Sequence, residues 1–472
     1  MKRFIYTLVA ALMMFPAVVS AQQNLRSGYF LDGYIYKYKM NPAMAPERGF
    51  LAVPVLGNIG LGMETNLGIS TFIYPTESGS LTTFLSPRVD NETFLKNIAE
   101  NNKTNLNLDL TLLALGFRTG KSYHTLDLSL KASGSTNLPG AFLKYLKVGG
   151  SLGDTEWDLS NLGLRSSSRA ELAYGLSRAF GENLRVGLRA KVLLGVHNID
   201  LSMKQLYFQT SPEKWSVEAK GNMMLAGILA MEQFSDSTPN WTIGAADDIV
   251  SNFTDPCLGF ALDLGATYDF LDYFTASLSV QDLGVMKWKN ATIAETPQTS
   301  WSFEGFESLD TDQISEQISS LTSSMMNAFN FDINESGTEK SSPLGVTVNA
   351  GIEARMPFYE RLAFGFLYTQ RIEGVYSWSE GRLAASLAPT RWFSLSTNYA
   401  ISNFGHSWGG AVNLHLPGIG IFVGMDSFSP LLNVTPQYIP INPINTNLAF
   451  GVNFSFGKYH GRYPKKDKTP KE

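Results

Sequence analysis

Several residue patterns in this 472-residue sequence are of types that carry chemistry elsewhere. Gly405-His406-Ser407-Trp408-Gly409 fits GxSxG, the sharp strand–turn–helix elbow that exposes a nucleophilic serine in hydrolases. Here the following residues alternate, with Gly410, Val412, Leu414 and Leu416 set against Ala411, Asn413 and His415. That pattern continues as a strand rather than a helix, so Ser407 is not expected to be catalytic. Gly418-x-Gly420 with Gly424 lacks the helix that a nucleotide loop needs. His124, His197, His415 and His460 show no metal-ligand spacing, and Cys257, the single cysteine, reads as a small packed residue at a strand start. Neither a catalytic centre, a metal nor a cofactor is expected.

Charged residues within otherwise apolar alternation are the more informative candidates. Arg185, Arg189 and Lys191 share one face of a strand and would stand opposite Arg169 and Glu171 on its neighbour, with Asp127, Lys131 and Asp263 elsewhere on the same inner wall. Two roles are open for them. They guide an anionic or amphipathic solute, or they pair with one another and with other chain inside the wall, since interior polar groups must be solvated or paired.

The elements that must position these residues are strands. Between Leu184 and Val196, the residues Leu184, Val186, Leu188, Ala190, Val192, Leu194 and Val196 alternate with Arg185, Gly187, Arg189, Lys191, Leu193 and Gly195. Strict period-two alternation over so long a run is a β-strand, longer than the usual five or six residues and sufficient for the roughly 9–11 needed to cross a bilayer at a tilt. The pattern predicts strands at 50–73, 105–118, 123–133, 166–179, 184–200, 258–270 and 274–284. It continues at 344–356, 362–371, 380–388, 393–402, 408–416, 419–426 and 447–457. Strand 105–118 changes phase: Leu106, Leu108, Leu110 and Leu112 lie on one face, Leu113, Leu115 and Phe117 on the other, which predicts either a bulge or an apolar inner patch.

Short links near Thr119–Ser122, Gly181–Asn183, Leu271–Tyr273, Pro357–Arg361, Pro389–Arg391 and Pro417–Gly418 alternate with longer polar segments. Short turns at one end and long loops at the other are the layout of outer-membrane barrels, with aromatic girdles at the interfaces. Phe117, Phe180, Phe270, Tyr273, Phe358, Tyr359, Trp392 and Phe393 sit beside the short turns. The fold class is therefore all-β, a transmembrane antiparallel β-barrel of about 14 strands. Short loop helices are expected at 92–100, 139–147 and 311–329, and a hairpin at 203–224 that rises above the membrane.

Composition agrees. Charged residues are only 17%, hydrophobic residues 44%, and the formal net charge is −5, which argues against disorder and against a nucleic-acid partner. Met1-Lys2-Arg3, an apolar stretch to Val19 and Val19-Ser20-Ala21 read as a secretory signal peptide at residues 1–21. The expected organisation is then an N-terminal segment at 22–48, a barrel at 49–457 and a basic tail at 458–472. Leu188→Arg, on the outer face, is expected to cost about 2–4 kcal/mol, and Arg189→Leu, on the inner face, to cost less.

Asn41-Pro42-Ala43, just before the first strand, resembles the NPA motif of FadL-type outer-membrane transporters. The surrounding Met40–Pro46 and Val280-Gln281-Asp282-Leu283-Gly284 look like a Bacteroidetes outer-membrane family related to that fold, whose architecture PorV-type secretion shuttles share. The resemblance implies a fourteen-stranded barrel in the outer membrane with residues 22–48 as a plug, Asn41, Pro42 and Ala43 forming part of its fixed end. It implies passage of small hydrophobic or amphipathic molecules, with outer-membrane lipids as surroundings and a small hydrophobic ligand as partner. The alternative it implies is a scaffold or shuttle with a secreted-protein partner.

Overall fold

The computed structural model describes residues 24–76, 80–148, 155–210, 215–227, 229–232, 240–243, 256–296, 300–303, 331–428 and 445–458. The expected signal peptide, the helix at 311–329 and the tail beyond Lys458 lie outside these residues.

Fourteen antiparallel strands close into a barrel. In chain order they are β1 (two pieces, Gly49–Ala52 and Asn58–Thr65), β2 (Asn101–Thr119), β3 (Ser122–Pro139), β4 (Gly163–Phe180), β5 (Leu184–Thr210), β6 (Cys257–Phe270) and β7 (Phe274–Glu295). They continue as β8 (Val346–Met356), β9 (Tyr359–Ile372), β10 (Trp378–Leu387), β11 (Phe393–Ser402), β12 (Gly405–Leu416), β13 (Ile419–Phe428) and β14 (Thr446–Phe456). Each pairs with its sequence neighbour, and β14 returns to both pieces of β1 to close the wall.

The alternation has the expected phase. On β5, Leu184, Val186, Leu188, Val192, Leu194 and Val196 are exposed, while Arg189, Lys191 and Leu193 are buried. Other strands repeat this, with Leu126, Leu172, Leu264, Leu278, Ile352, Phe366, Leu383 and Val423 outside and polar residues within. A soluble protein rarely exposes so large an apolar surface, whereas a bilayer-spanning barrel requires it. Such a barrel, kept closed by its hydrogen-bonded wall, is expected to migrate differently on a gel before and after boiling; identical migration would contradict the closed fold.

The two- and three-residue turns are built for it. Gly120, Gly181 and Gly418 take positive φ, and at the β6–β7 turn Leu271 and Asp272 do so without glycine, at 49° and 59°. The link between β11 and β12 at the opposite end, expected to be longer, is just Asn403 and Phe404.

The first strand departs from the continuous 50–73 expected. Pro54 removes a backbone donor, Val55 has φ 66°, and residues 53–57 leave the ladder with Val55 and Leu56 exposed. Directly across, β2 carries a bulge between Thr111 and Leu113, and the Val55 N–H donates to the Leu112 carbonyl at 3.2 Å. That bulge is the phase change seen in the leucine run. It turns Leu106, Leu108 and Leu110, and then Leu113, Leu115 and Phe117, away from the interior, leaving Asp109, Thr111 and Ala114 buried inside.

At the long-loop end, β5 runs 27 residues and pairs beyond the barrel with Trp215–Gly227, the expected hairpin. β7 likewise rises to pair with Asp332–Pro343. Two short helices, α1 (Asn91–Leu95) and α2 (Gly140–Val148), pack there through Phe84, Phe94 and Leu143. The first is shorter than 92–100: it ends at Leu95, where the Lys96 and Asn97 N–H groups close its last turn on Glu92 and Phe94.

Candidate functional site

The interior of the barrel is occupied by the chain's own residues 24–48. Asn24 and Arg26 lie near the long-loop end, and the segment descends to Asp32 beside the short turns. It climbs to Lys39 and Met40 and descends again to enter β1 at Gly49. Its apolar side is aromatic: Tyr29, Phe30, Tyr34, Tyr36 and Tyr38 are buried, together with Leu25, Leu31 and Met40. They pack on a wall of small residues, Ala114, Ala384, Ala411 and Ala449, with Phe50, Leu367 and Phe422 between them. Tyr34 meets Phe422 edge-on at 5.0 Å between centroids, and Tyr36 and Tyr38 each lie 6.0 Å from Phe50. Where the wall has glycine, a ring takes the space: a Cβ on Gly365 would fall 2.5 Å from Phe30.

Asn41-Pro42-Ala43 is seated against the wall. The Asn41 amide donates to the carbonyls of Ala266 and Leu278, each at 3.3 Å, and its own oxygen accepts from the Ala43 N–H at 3.0 Å. Ser177 Oγ donates to the Ala43 carbonyl at 3.1 Å. Gly187 on β5 and Gly265 on β6 make this approach feasible, since a Cβ on Gly187 would sit 2.1 Å from the Pro42 carbonyl carbon.

Opposite the aromatic half, the interior is charged. Of the eight charged candidates, seven are buried side by side: Asp127, Lys131, Arg169, Glu171, Arg189, Lys191 and Asp263. Arg189 reaches Asp127 at 2.6 Å, Glu171 at 2.9 Å and Asp263 at 3.2 Å. Lys131 pairs with Glu171 at 3.0 Å and Lys191 with Asp263 at 2.7 Å, while Arg169 is the direct cross-strand neighbour of Lys131. Arg185, four positions nearer the short turn, is only half-buried.

Three further groups belong to this interior and escaped the alternation. Asp282 binds Lys191 at 2.6 Å, and its N–H donates to Asp263 at 2.8 Å. A bulge between Leu262 and Leu264, with Asp282 at φ 59°, turns it inward. An acid inside the apolar run 278–286 was the only trace of it in the sequence. Lys39 of the inner segment contacts Asp109 at 3.2 Å, Thr111 at 2.7 Å and Ser129 at 3.2 Å. Arg26 is the third: it meets Glu64 at 2.5 Å, Glu380 at 3.2 Å and Asp426 at 3.6 Å, and stacks over Trp378 at 5.0 Å. The N–H groups of Arg26 and Ser27 also donate to Asp426. At the other end Arg355 holds Asp32 through two bonds, at 2.9 and 3.3 Å. Charged and polar contacts thus fasten the segment at its top, middle and bottom, with no covalent link to the wall before β1.

The sequence profile of the family of unknown function DUF5723 matches residues 42–426. The chain belongs to this family. No curated protein sequence matches it. Among solved structures, the toluene transporter TbuX of Ralstonia pickettii is similar at a TM-score of 0.42 and 9% identity, over 93% of this chain and 97% of that one. A Pseudomonas aeruginosa FadL homologue has a TM-score of 0.42 and 10% identity over 94% and 100% of the two chains. The toluene transporter TodX of Pseudomonas putida has 0.38 and 7% over 93% and 95%. These are likenesses of fold.

In this DUF5723 chain the patterns of catalytic type are used structurally. Ser407 lies within β12, paired with Ala400 of β11, so the elbow geometry is missing. The His406 ring bonds the Tyr399 hydroxyl at 2.9 Å, and His197 sits between Ser166 and Ser168 at 2.8 and 2.6 Å. His124 bridges Thr119 and Tyr174 at 2.6 and 2.7 Å, while His415 meets Asn413 at 2.6 Å. Cys257 is buried and accepts from the Lys289 N–H at 3.3 Å. Among the described residues no group of His, Cys, Asp and Glu is arranged to hold a metal ion.

Above the inner segment, at the long-loop end, lies a small polar gap. One wall is Asn105 and Asn107 of β2, in register with Ser135 and Ser133 of β3. The other is Gln281, Thr347, Asn349 and Thr369 of β7, β8 and β9, and Asn24, Arg26 and Met40 form the floor. At its rim Glu373 bonds Arg371 and Arg165 at 2.8 and 3.1 Å. Burial alone would raise this carboxyl, but Arg371 and then Arg165 hold it below the usual carboxylate range. These rim pairs therefore contribute stability that disappears as acid titrates Glu373 through its lowered value.

Proposed function

We propose that this chain is an exported outer-membrane barrel through which small hydrophobic or amphipathic molecules pass, with residues 22–48 as a movable plug. The observation that supports this reading is the division of the interior into two halves. Remove the inner segment, and one side of the bore presents Ala114, Ala384, Ala411, Ala449, Leu367 and Phe422 between polar residues such as Asn398 and Asn413, while the other carries a set of internally paired charges. Such a conduit suits solutes with an apolar part. The plug fills it with tyrosine and phenylalanine side chains, which stand where apolar solute would move, and holds its place by ion pairs and hydrogen bonds that exchange without chemistry. The short turns face the periplasm and the long loops the exterior, as in other outer-membrane barrels. No catalytic step and no cofactor belong to this reading. The other expectation, a scaffold for secreted proteins, has no described feature in its favour.

The test is uptake into proteoliposomes of an uncharged aromatic probe too bulky to cross lipid quickly. The wild-type protein is expected to accelerate entry over protein-free vesicles. Arg26→Ala, which removes the upper fastening and leaves Glu64, Glu380 and Asp426 without their shared cation, is expected to raise that rate about tenfold or more, since a shift of 1.4 kcal/mol in plug opening is tenfold in population. Equal rates for empty vesicles, wild type and Arg26→Ala would overturn the proposal.

A further inference from the structure

The charges buried inside the barrel are divided unevenly between the wall and the inner segment. Among the described residues the protein buries eight acids and seven bases. All eight acids belong to the wall, but only five of the bases do; the other two are Arg26 and Lys39 of the segment. The wall by itself is therefore acidic, and the segment makes up most of the difference. Arg189 and Lys191 are answered by acids of the wall, so the surplus falls where Arg26 and Lys39 sit. At its lower turn the segment lends an acid instead, Asp32 to Arg355, and there both partners are half-buried.

The place that Arg26 fills is built for a cation. Glu64 of β1, Glu380 of β10 and Asp426 of β13 surround its guanidinium, and Trp378 offers a ring face to it. Carboxylates with an aromatic face are the general means of holding an ammonium or guanidinium group. The three acids are at most 4% exposed, where leaving a charge unpaired is costly. When Arg26 leaves, the cation that stays beside them is Arg382, 2.8 Å from Glu380. Lower in the bore, departure of Lys39 takes a cation from Asp109. Even with the segment seated, Asp109 Oδ2 and Asp127 Oδ2 are enclosed without a hydrogen-bond partner among the described residues, and both carboxylates interact electrostatically with Tyr36 of the segment. The wall thus asks for positive charge along the line the segment occupies. The polar gap above Arg26 is about 60 Å³, room for a water or two, so a solute's cation takes this place only in exchange for Arg26.

We propose that Glu64, Glu380, Asp426 and Trp378 bind the positive group of an entering solute in place of Arg26, and that the solutes admitted are apolar or aromatic compounds carrying an amine, amidine or guanidine. The exchange site stands on the geometry around Arg26; that the bound compound then moves through the barrel rests on the transport reading above. The segment is itself the pattern for such a solute, a guanidinium at Arg26 followed by the rings of Tyr29, Phe30 and Tyr34. A cationic head that replaces Arg26 keeps the ion pairs and frees the segment. A neutral head would leave three buried carboxylates with one cation, and an anion would add a fourth negative charge.

Three probes of one shape test it: phenethylguanidinium, its neutral isostere phenethylurea, and 3-phenylpropionate. In phosphatidylcholine proteoliposomes without a membrane potential, after subtraction of protein-free vesicles, the guanidinium is expected to enter about tenfold faster than the urea, as hydrogen bonds to charged groups imply. The carboxylate is expected to be slowest. The double variant Glu64→Gln and Glu380→Gln, checked for closure by its gel mobility before boiling, loosens the upper fastening and removes the charge. Urea entry is therefore expected to rise in it while the guanidinium-to-urea ratio falls toward one. Equal entry of guanidinium and urea into wild-type vesicles would overturn the proposal, as would faster entry of the carboxylate or a ratio indifferent to the double variant. Saturation-transfer NMR on the full chain in phosphatidylcholine nanodiscs reads the site apart from transport. Saturable contact is expected with the guanidinium, not with the urea, and is expected to vanish in the double variant. Such contact without uptake of any probe would refute transport and leave the site standing. Uptake without preference or contact would do the opposite, and neither contact nor uptake would refute both.

Discussion

Replacing Arg189 by leucine is expected to destabilise the barrel by about 3–5 kcal/mol, because it leaves buried carboxylates without their shared cation. Arg189 is 1% exposed and lies within 3.2 Å of Asp127, Glu171 and Asp263, all of them fully enclosed. Leu188→Arg, one residue away but on the bilayer side, costs about 2–4 kcal/mol near the midplane. The order is thus the reverse of what alternation alone implies. An inner-face arginine in a wet channel would be replaceable, whereas this one is the centre of a dry ion-pair cluster. Urea unfolding of both variants in lipid vesicles, followed by tryptophan emission, measures the two costs on one scale. A loss for Arg189→Leu well below that for Leu188→Arg would show that water reaches the cluster and that its pairs matter little.

Gly187→Val is expected to unseat the inner segment while leaving the wall intact. The new Cβ would lie 2.1–2.3 Å from backbone atoms of Pro42 and Ala43, and backbone held between Asn41 and β1 has no rotamer by which to retreat. Outward, β5 loses nothing, since Gly187 has no side chain in its ladder. With Ser27→Cys as a reporter in a Cys257→Ala background, labelling by a water-soluble maleimide is expected to quicken about tenfold or more on adding Gly187→Val, as a shift of 1.4 kcal/mol in opening implies. Gly265→Ala should do less, because there the close atom is the Asn41 side-chain oxygen, which can turn away. Unchanged labelling in Gly187→Val with normal heat-shifted mobility would mean that the segment accommodates the branch and that Asn41–Ala43 is not its anchor.

How much of this was legible in the sequence follows from which interactions are local. A strand states its own faces, so the exposure of Leu188 and the burial of Arg189 follow from alternation, and the short turns follow from Gly181, Leu271-Asp272 and Gly418. Departures from strict alternation were not resolved by counting. The leucine run of β2 allowed a bulge or a greasy patch, and only the partner strand, with Val55 reaching Leu112, decides for the bulge. Asp282 was hidden for the same reason: a bulge reverses parity, and parity was the sole guide to direction. Contacts of the inner segment were beyond reach altogether. Arg26 finds Asp426 at a separation of 400 residues, and nothing near either residue specifies the other. Seven of the eight charged candidates nevertheless share one cluster, because neighbouring strands carry them at matching heights.

The interrupted first strand has a consequence for assembly. Closing the barrel joins the two ends of the chain: β14 holds β1 through four residue pairs on one side of the 53–57 excursion and five on the other. The β2–β3 ladder, by contrast, runs almost unbroken from Asn101↔Pro139 to Thr119↔Ser122. Hairpins of that kind form early from contacts near in sequence, while the β14–β1 seam must wait for the longest loop in the molecule to close, the slow step in any fold of high contact order. On that ground the seam is the last part of the wall to zip. The segment leading into it is the one folded inside the bore, so filling the interior and sealing the wall are two parts of a single closing event.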